Sequence, residues 1–231
     1  MSTKNILVVA ATALEIESLF EHPRISSQDL GRIVYAHYAD HTVDELITGP
    51  GMIATAYHMG RQLEIQNYDL VINAGIAGSF NKNIKIGDAV NVVSDCFPEL
   101  GAYQGDRFIP MYGMEMALPY KQSFISTDGV IENFNFPDIP SLKKLPAVKG
   151  ITVNTISNNE VEIEKLRTRT GAEIESMEGA AFLYSCFLTD SPCLQIRTIS
   201  NYVEPHHLVK WDIPLAVSRL RKTLIQIFDE L

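Results

Sequence analysis

Two unbroken apolar runs limit what this chain can fold into. Ile6-Leu7-Val8-Val9-Ala10-Ala11 and Leu70-Val71-Ile72-Asn73-Ala74 hold one polar side chain between them. A strand with one wet face alternates apolar and polar residues, and these runs do not. Short and rich in β-branched residues, they read as strands covered on both faces, as in a parallel sheet packed between helices.

The rest of the chain alternates in the same spirit. Thr12 can cap a helix that carries Leu14, Leu19 and Phe20 and ends near His22-Pro23. Residues 31–38 and 42–48 read as a hairpin around Ala39-Asp40-His41. Gly49-Pro50-Gly51 precedes a helix of about four turns. Gly75-Ile76-Ala77-Gly78 reads as a tight turn leaving the second run. Strand character returns at 86–93, 151–153, 172–177 and 193–199, with helices over 160–170, 179–188 and about 212–229. Residues 95–120 are rich in Gly, Pro and aromatics, and too long for a plain connector, so an ordered functional loop is expected. This order predicts an α/β fold, one domain over residues 1–231, with a central mixed, mostly parallel sheet flanked by helices in three layers.

Charge and cysteine content exclude several functions. With 28 acidic and 19 basic residues in 231, the net charge is −9. The one basic cluster, Arg219-Leu220-Arg221-Lys222, falls on the predicted last helix and reads as its solvated face, so no nucleic-acid surface is expected. No apolar run is long enough to span a bilayer, and the N-terminal run meets Glu15 and Glu17 too soon for a signal peptide. Cys96, Cys186 and Cys193 are an odd number without metal-type spacing; Cys186 and Cys193 read as core residues, and a reducing cytoplasm is the expected compartment. The 75–78 glycines match neither G-x-G-x-x-G nor a P-loop. Neither a cofactor nor a metal is expected, and His206-His207 reads as a surface pair.

In open α/β sheets ligands collect beyond the carboxyl ends of the strands. Thr12 and Glu15 follow the first strand, Gly75 to Gly78 the second run, and Met177-Glu178 the strand over 172–177. Ser200 and Asn201 follow the strand over 193–199. Taken singly, Glu15 reads as a solvated helix residue before it reads as a base. Glu178 reads as a first-turn carboxylate facing the helix dipole, or as a double acceptor for two vicinal hydroxyls.

In combination these segments resemble a known group. "AEIESMEGAAFLYSCFLTDSPCLQIRTISNYVE" (172–204) is similar to the purine nucleosidase and phosphorylase superfamily, in particular the methylthioadenosine/S-adenosylhomocysteine nucleosidases. "VVAATALEIESL" (8–19), "TGPGMIATA" (48–56) and "VINAGIAGSF" with "IKIGDAV" (71–90) resemble further motifs in the same order. The resemblance implies a nucleoside phosphorylase-like fold and cleavage of an N-glycosidic bond through an oxocarbenium-like state. Carried over by position, Glu15 is the general base and Asn201 faces N7 of the purine. Met177 packs on the ribose and Glu178 grips its hydroxyls, while Ala77 and Gly78 line the pocket. Arg197 and Ser200 are expected to orient Asn201. A homodimer or larger homo-oligomer is implied.

Departures from the pattern refine this. The related hexameric phosphorylases carry Arg just before the glycines, where this chain has Val71-Ile72-Asn73, so hydrolysis is favoured over phosphorolysis. The base-stacking aromatic of adenine-specific nucleosidases has no counterpart in Thr152-Val153-Asn154-Thr155-Ile156-Ser157. Ser176 stands in place of a second Glu, Ile76 in place of Ser, and Asn201 in place of Asp. An amide can donate to a 6-oxo group and accept from N7–H, whereas a carboxyl group suits a 6-amino group, so Asn201 predicts a 6-oxopurine leaving group. With "IRTISNYVEP", "GITVNTIS" and "ELGAYQGDRF" together, the chain most resembles the futalosine hydrolases. That resemblance implies release of hypoxanthine in the futalosine route to menaquinone, with loop 97–112 near the substrate's carboxyphenyl group. The competing readings are an adenine-directed nucleosidase, an inosine or guanosine phosphorylase, and a nucleoside-binding module without turnover.

Overall fold

The computed structural model describes residues 3–17, 19–20, 25–205 and 210–231. The helix end expected at His22-Pro23 and the His206-His207 pair lie outside the described residues. Strand β1 (Asn5–Ala10) leads into the short helix α1 (Ala13–Ile16). The local sequence Thr12-Ala13-Leu14-Glu15 is a T-x-x-E capping box. The Thr12 N–H and hydroxyl donate to Glu15 Oε2 at 2.9 and 3.1 Å.

Strands β2 (Ile33–Tyr38) and β3 (His41–Ile47) form the expected hairpin, and α2 (Met52–Ile65) follows Gly51. Then come β4 (Leu70–Ser79), β5 (Ala89–Cys96), a small two-stranded sheet of β6 (Gly101–Gln104) and β7 (Arg107–Pro110), and β8 (Val130–Glu132). The chain continues through β9 (Ala147–Thr152), α3 (Glu160–Thr170), β10 (Ile174–Ser176) and α4 (Gly179–Leu188). It finishes with β11 (Cys193–Tyr202) and α5 (Ile213–Phe228).

The main sheet has nine strands in the order β10-β9-β5-β11-β4-β1-β3-β2, with β8 on β5. Strands β3, β1, β4 and β11 run parallel, while β2, β8 and the β11–β5 pair are antiparallel. β10 pairs with β9 and also with β4, closing β4, β11, β5, β9 and β10 into a ring. Ala77, Val90, Val92, Val148, Ile174 and Ile199 pack together within it.

The apolar runs are covered on both faces, as their composition requires. Ile6 and Val8 of β1 pack with Leu224 and Phe228 of α5, whereas Leu7 and Val9 pack with Met59 of α2 and Phe182 of α4. Each such fully buried side chain contributes about 1.5–3 kcal/mol of transfer free energy, which makes this three-layer arrangement the stable one. All three cysteines are buried and free. Among the described residues no helix is long and apolar enough to cross a membrane.

Three expectations are corrected. Gly75 to Gly78 form no turn, because β4 continues through them to Ser79, paired with β11 and then β10. The loop expected over 95–120 contains the β6–β7 hairpin. β11 extends past 199, so Ser200 and Asn201 lie within the strand at a break in its register. Ile199 pairs with Ala77 and Asn201 with Gly78, leaving Ser200 as the extra residue of a bulge.

Candidate active site

A cavity of about 280 Å³ opens where β1, β4, β10 and β11 end. Glu15, Ala77, Gly78, Met177, Glu178, Ser200 and Asn201 all line it. Arg197 does not. It lies behind the cavity wall with none of its surface exposed.

The capping box fixes Glu15 Oε2, and the Ile76 N–H of β4 donates to Oε1 at 3.1 Å. Burial pushes the Glu15 carboxyl above its ordinary pKa. Arg197 opposes that shift and the neighbouring Glu178 adds to it. Glu178, the residue before α4, accepts from the Gly51 N–H at 2.9 Å through Oε1. Its Oε2 lies 3.7 Å from Arg197 Nη1.

The expected role of Arg197 as a support for Asn201 is therefore corrected. Its guanidinium pairs with Glu178 and donates through Nη2 to Asn73 Oδ1. Asn73 is anchored in turn on Val9 O at 3.2 Å. Nε and Nη1 of Arg197 have no hydrogen-bond partner among the described residues. One buried guanidinium thus sits beside two acids, which compensate it within the wall of the cavity.

Gly75 makes room for that cation. A Cβ there would fall 2.0 Å from Arg197 Nη1 and 2.9 Å from Glu15 Oε1. The glycine is required by close approach within a strand rather than by a turn.

The Ser200 hydroxyl donates to Asn201 Oδ1 at 2.8 Å, and Asn201 Nδ2 donates to Tyr202 O at 3.1 Å. A carbonyl oxygen only accepts, so the atom facing Tyr202 has to be the amide nitrogen. The amide keeps one N–H and one lone pair free. A carboxylate at 201 would instead set an anionic oxygen against the Tyr202 carbonyl.

Sequence reasoning missed several groups here. Glu175 lines the cavity and accepts from the Ser157 N–H at 3.0 Å and from the Ser157 hydroxyl. Ile156 supplies apolar wall in the segment that lacks an aromatic, and Trp211 adds a half-exposed indole. For Glu15, which the sequence did identify, the T-x-x-E spacing also signals how the carboxylate is fixed. No local signal marks Glu175 or Trp211. A larger groove of about 770 Å³, between the β6–β7 hairpin and α3, contains none of these residues, and its charged groups Asp106, Glu160, Glu164, Lys165 and Arg169 are exposed side chains of the hairpin turn and the helix.

Comparison with known proteins finds relatives across nearly the whole chain. Residues 5–229 match the Phosphorylase superfamily. A futalosine hydrolase of Streptomyces coelicolor is 27% identical over 165 residues, covering 68% of this chain and 64% of that protein. A 5'-methylthioadenosine/S-adenosylhomocysteine nucleosidase of Chromohalobacter salexigens is 26% identical over 206 residues, covering 86% and 84%. Among solved structures, a nucleosidase of the latter kind from Neisseria meningitidis, in complex with methylthio-immucillin-A, superposes with a TM-score of 0.71 at 18% identity. The match covers 99% of this chain and 100% of that one. The futalosine hydrolase of Helicobacter pylori gives 0.70 at 16% identity, covering 99% of both chains. These likenesses establish the fold, and the match across nearly the whole sequence establishes the kinship: the chain belongs to the phosphorylase superfamily.

Proposed function

We propose that this protein hydrolyses the N-glycosidic bond of a 6-oxopurine nucleoside, with futalosine as substrate and hypoxanthine as the leaving base. The observation that carries the reading is the Asn201 amide, held by Ser200 and the Tyr202 carbonyl with one N–H free. An amide does not protonate a leaving group. Hypoxanthine does not need it to, because negative charge developing on the base spreads onto O6, where a fixed N–H stabilises it. Adenine leaves well only when N7 is protonated, which an acid at 201 would supply.

The other groups fit hydrolysis. Glu15, raised in pKa by burial, takes the proton of the attacking water. Arg197, with two nitrogens unpartnered, balances the two carboxylates beside the site. Glu178 Oε2 and the second lone pair of Oε1 accept from the ribose 2′ and 3′ hydroxyls, and Met177 packs on the sugar. In this reading the water activated by Glu15 attacks the sugar from the face opposite to the departing base. Assembly as a homodimer or larger homo-oligomer belongs to the same proposal. The exposed Ile53 and Tyr57, one turn apart on α2, support it.

The relatives do not separate futalosine from methylthioadenosine, since the identities are 27% and 26%. Product identification does. Futalosine, methylthioadenosine and inosine are each incubated with the enzyme, with and without phosphate. Release of hypoxanthine from futalosine, independent of phosphate, is expected. Release of adenine from methylthioadenosine at a comparable rate would sink the assignment.

A further inference from the structure

Glu175 is a buried carboxylate of the cavity to which the reaction above gives no task. On β10 it pairs with Gly78 from one side of β4, and on β11 Asn201 pairs with the same Gly78 from the other. Residues opposite one another in a ladder share a face. Glu175 and Asn201 therefore stand on one face of the sheet, separated by a residue that has no side chain. Neighbouring strands lie about 4.8 Å apart, so the two backbones are roughly 10 Å apart across Gly78. That spacing matches a flat bicyclic base with a polar group at each end, and Gly78, Glu175 and Asn201 all line the cavity. Gly78 itself is fixed by close packing, since a Cβ there would fall 2.9 Å from Val203 Cγ2 and 3.2 Å from Asn201 Nδ2.

The Glu175 carboxylate is also held in place. The Ser157 N–H donates to Oε1 at 3.0 Å and the Ser157 hydroxyl to Oε2. Each oxygen keeps an acceptor site.

We infer that Glu175 is a specificity-determining residue that accepts the N1–H of the departing base while Asn201 attends its N7 and O6 edge. The inference rests on the reading of the protein as a 6-oxopurine nucleosidase and adds a second, separate test of the base. Hypoxanthine carries a hydrogen on N1. Adenine carries a lone pair there, and two facing acceptors leave both unpaired. Asn201 reads the exocyclic group and Glu175 reads the ring nitrogen beside it.

Ser157 sets what a conservative substitution does. Its N–H can only donate, so in Glu175→Gln the amide oxygen takes the place of Oε1 and the NH2 group that of Oε2, donating to the Ser157 hydroxyl. The second N–H of that group is then the free one, and a donor stands where an acceptor stood. The preference between a protonated and an unprotonated N1 is expected to reverse.

Calorimetric binding of hypoxanthine, 1-deazahypoxanthine and adenine to the wild type, Glu175→Gln and Glu175→Ala tests this. The 1-deaza base has C–H where hypoxanthine has N1–H, at the same size. Loss of one hydrogen bond to a charged group is expected to weaken its binding to the wild type by about tenfold or more. That gap should vanish in Glu175→Ala, and Glu175→Gln should favour adenine over hypoxanthine relative to the wild type. A gap of equal size in Glu175→Ala, or none in the wild type, overturns the inference and leaves the 6-oxopurine reading standing. Tight adenine binding without hypoxanthine binding by the wild type overturns both. Should Glu175→Ala not fold, an unchanged hypoxanthine-to-adenine ratio in Glu175→Gln is sufficient to reject it.

Discussion

Gly75→Ala adds one methyl group to the interior and should damage both stability and activity. Its Cβ would lie 2.0 Å from Arg197 Nη1, where ordinary contact begins at 3.4 Å. The guanidinium has to withdraw by the difference, about 1.4 Å. At an effective dielectric constant near 20, two unit charges 3.7 Å apart attract by about 4.5 kcal/mol, and at 5.1 Å by about 3.3. Retreat straight away from Glu178 therefore costs about 1 kcal/mol of attraction. The bond from Arg197 to Asn73 is strained by the same movement, and hydrogen bonds to charged groups are worth about 1.5–3 kcal/mol. A stability loss of about 2–4 kcal/mol follows. Because the same methyl would lie 2.9 Å from Glu15 Oε1, the base is displaced too, and a shift of order 1 Å can cost about a hundredfold in rate. Urea unfolding and kcat/KM for hypoxanthine release measure the two effects. A variant within about 0.5 kcal/mol of the wild type and fully active would show that the arginine head is not confined as described.

Glu15→Gln should lower kcat/KM by about 10²–10⁴. It should also cost stability, because one amide cannot accept from both Thr12 N–H and Ile76 N–H; a folded, fully active variant would refute the assignment of the base. Asn201→Asp is expected to slow hypoxanthine release and to shift turnover toward 6-aminopurine nucleosides, read from product ratios; unchanged ratios would remove the argument from the amide. Burial raises the Glu45 carboxyl from 4.5 to about 8, and its Oε1 has no partner among the described residues. The folded chain then holds a proton that the unfolded chain releases, so this group's contribution to stability declines as pH rises from about 5 to 8. Glu45→Gln should accordingly raise the urea midpoint more at pH 8.5 than at pH 5, and an equal change at both would reject that account.

The layers of the fold were legible because they follow from local composition. Runs such as Ile6 to Ala11 can only be covered strands, and the helices between them carry ordinary start and stop signals. The carboxyl-edge rule brought Glu15, Glu178, Ser200 and Asn201 to one place. What stayed hidden depends on partners remote in sequence. The small residues from Gly75 to Gly78 look like a turn, yet ladders on both sides hold them extended, and the first glycine is needed by an arginine 122 positions away in the numbering. Arg197 was misassigned because it stands opposite Gly75 in the ladder, and across that bare residue its side chain reaches Asn73 and Glu178 rather than Asn201. Glu175 escaped notice because only the two registers on β4 bring it level with Asn201.

The bulge at Ser200 bears on how far such motifs can be transferred. In an unbroken ladder Ser200 would stand opposite Gly78, and Asn201, one step on, would project from the other side of the sheet, toward α4 with Arg197. The extra residue resets the parity of the strand. The letters Ser-Asn are thus meaningful only together with the irregularity they sit in, and two chains spelling the same tripeptide could present opposite faces to their ligands. Grafting Ile199 to Asn201 onto a regular strand would copy the wording of this site without its grammar. A redesign of the leaving-group preference has to preserve the irregularity before it alters the side chain.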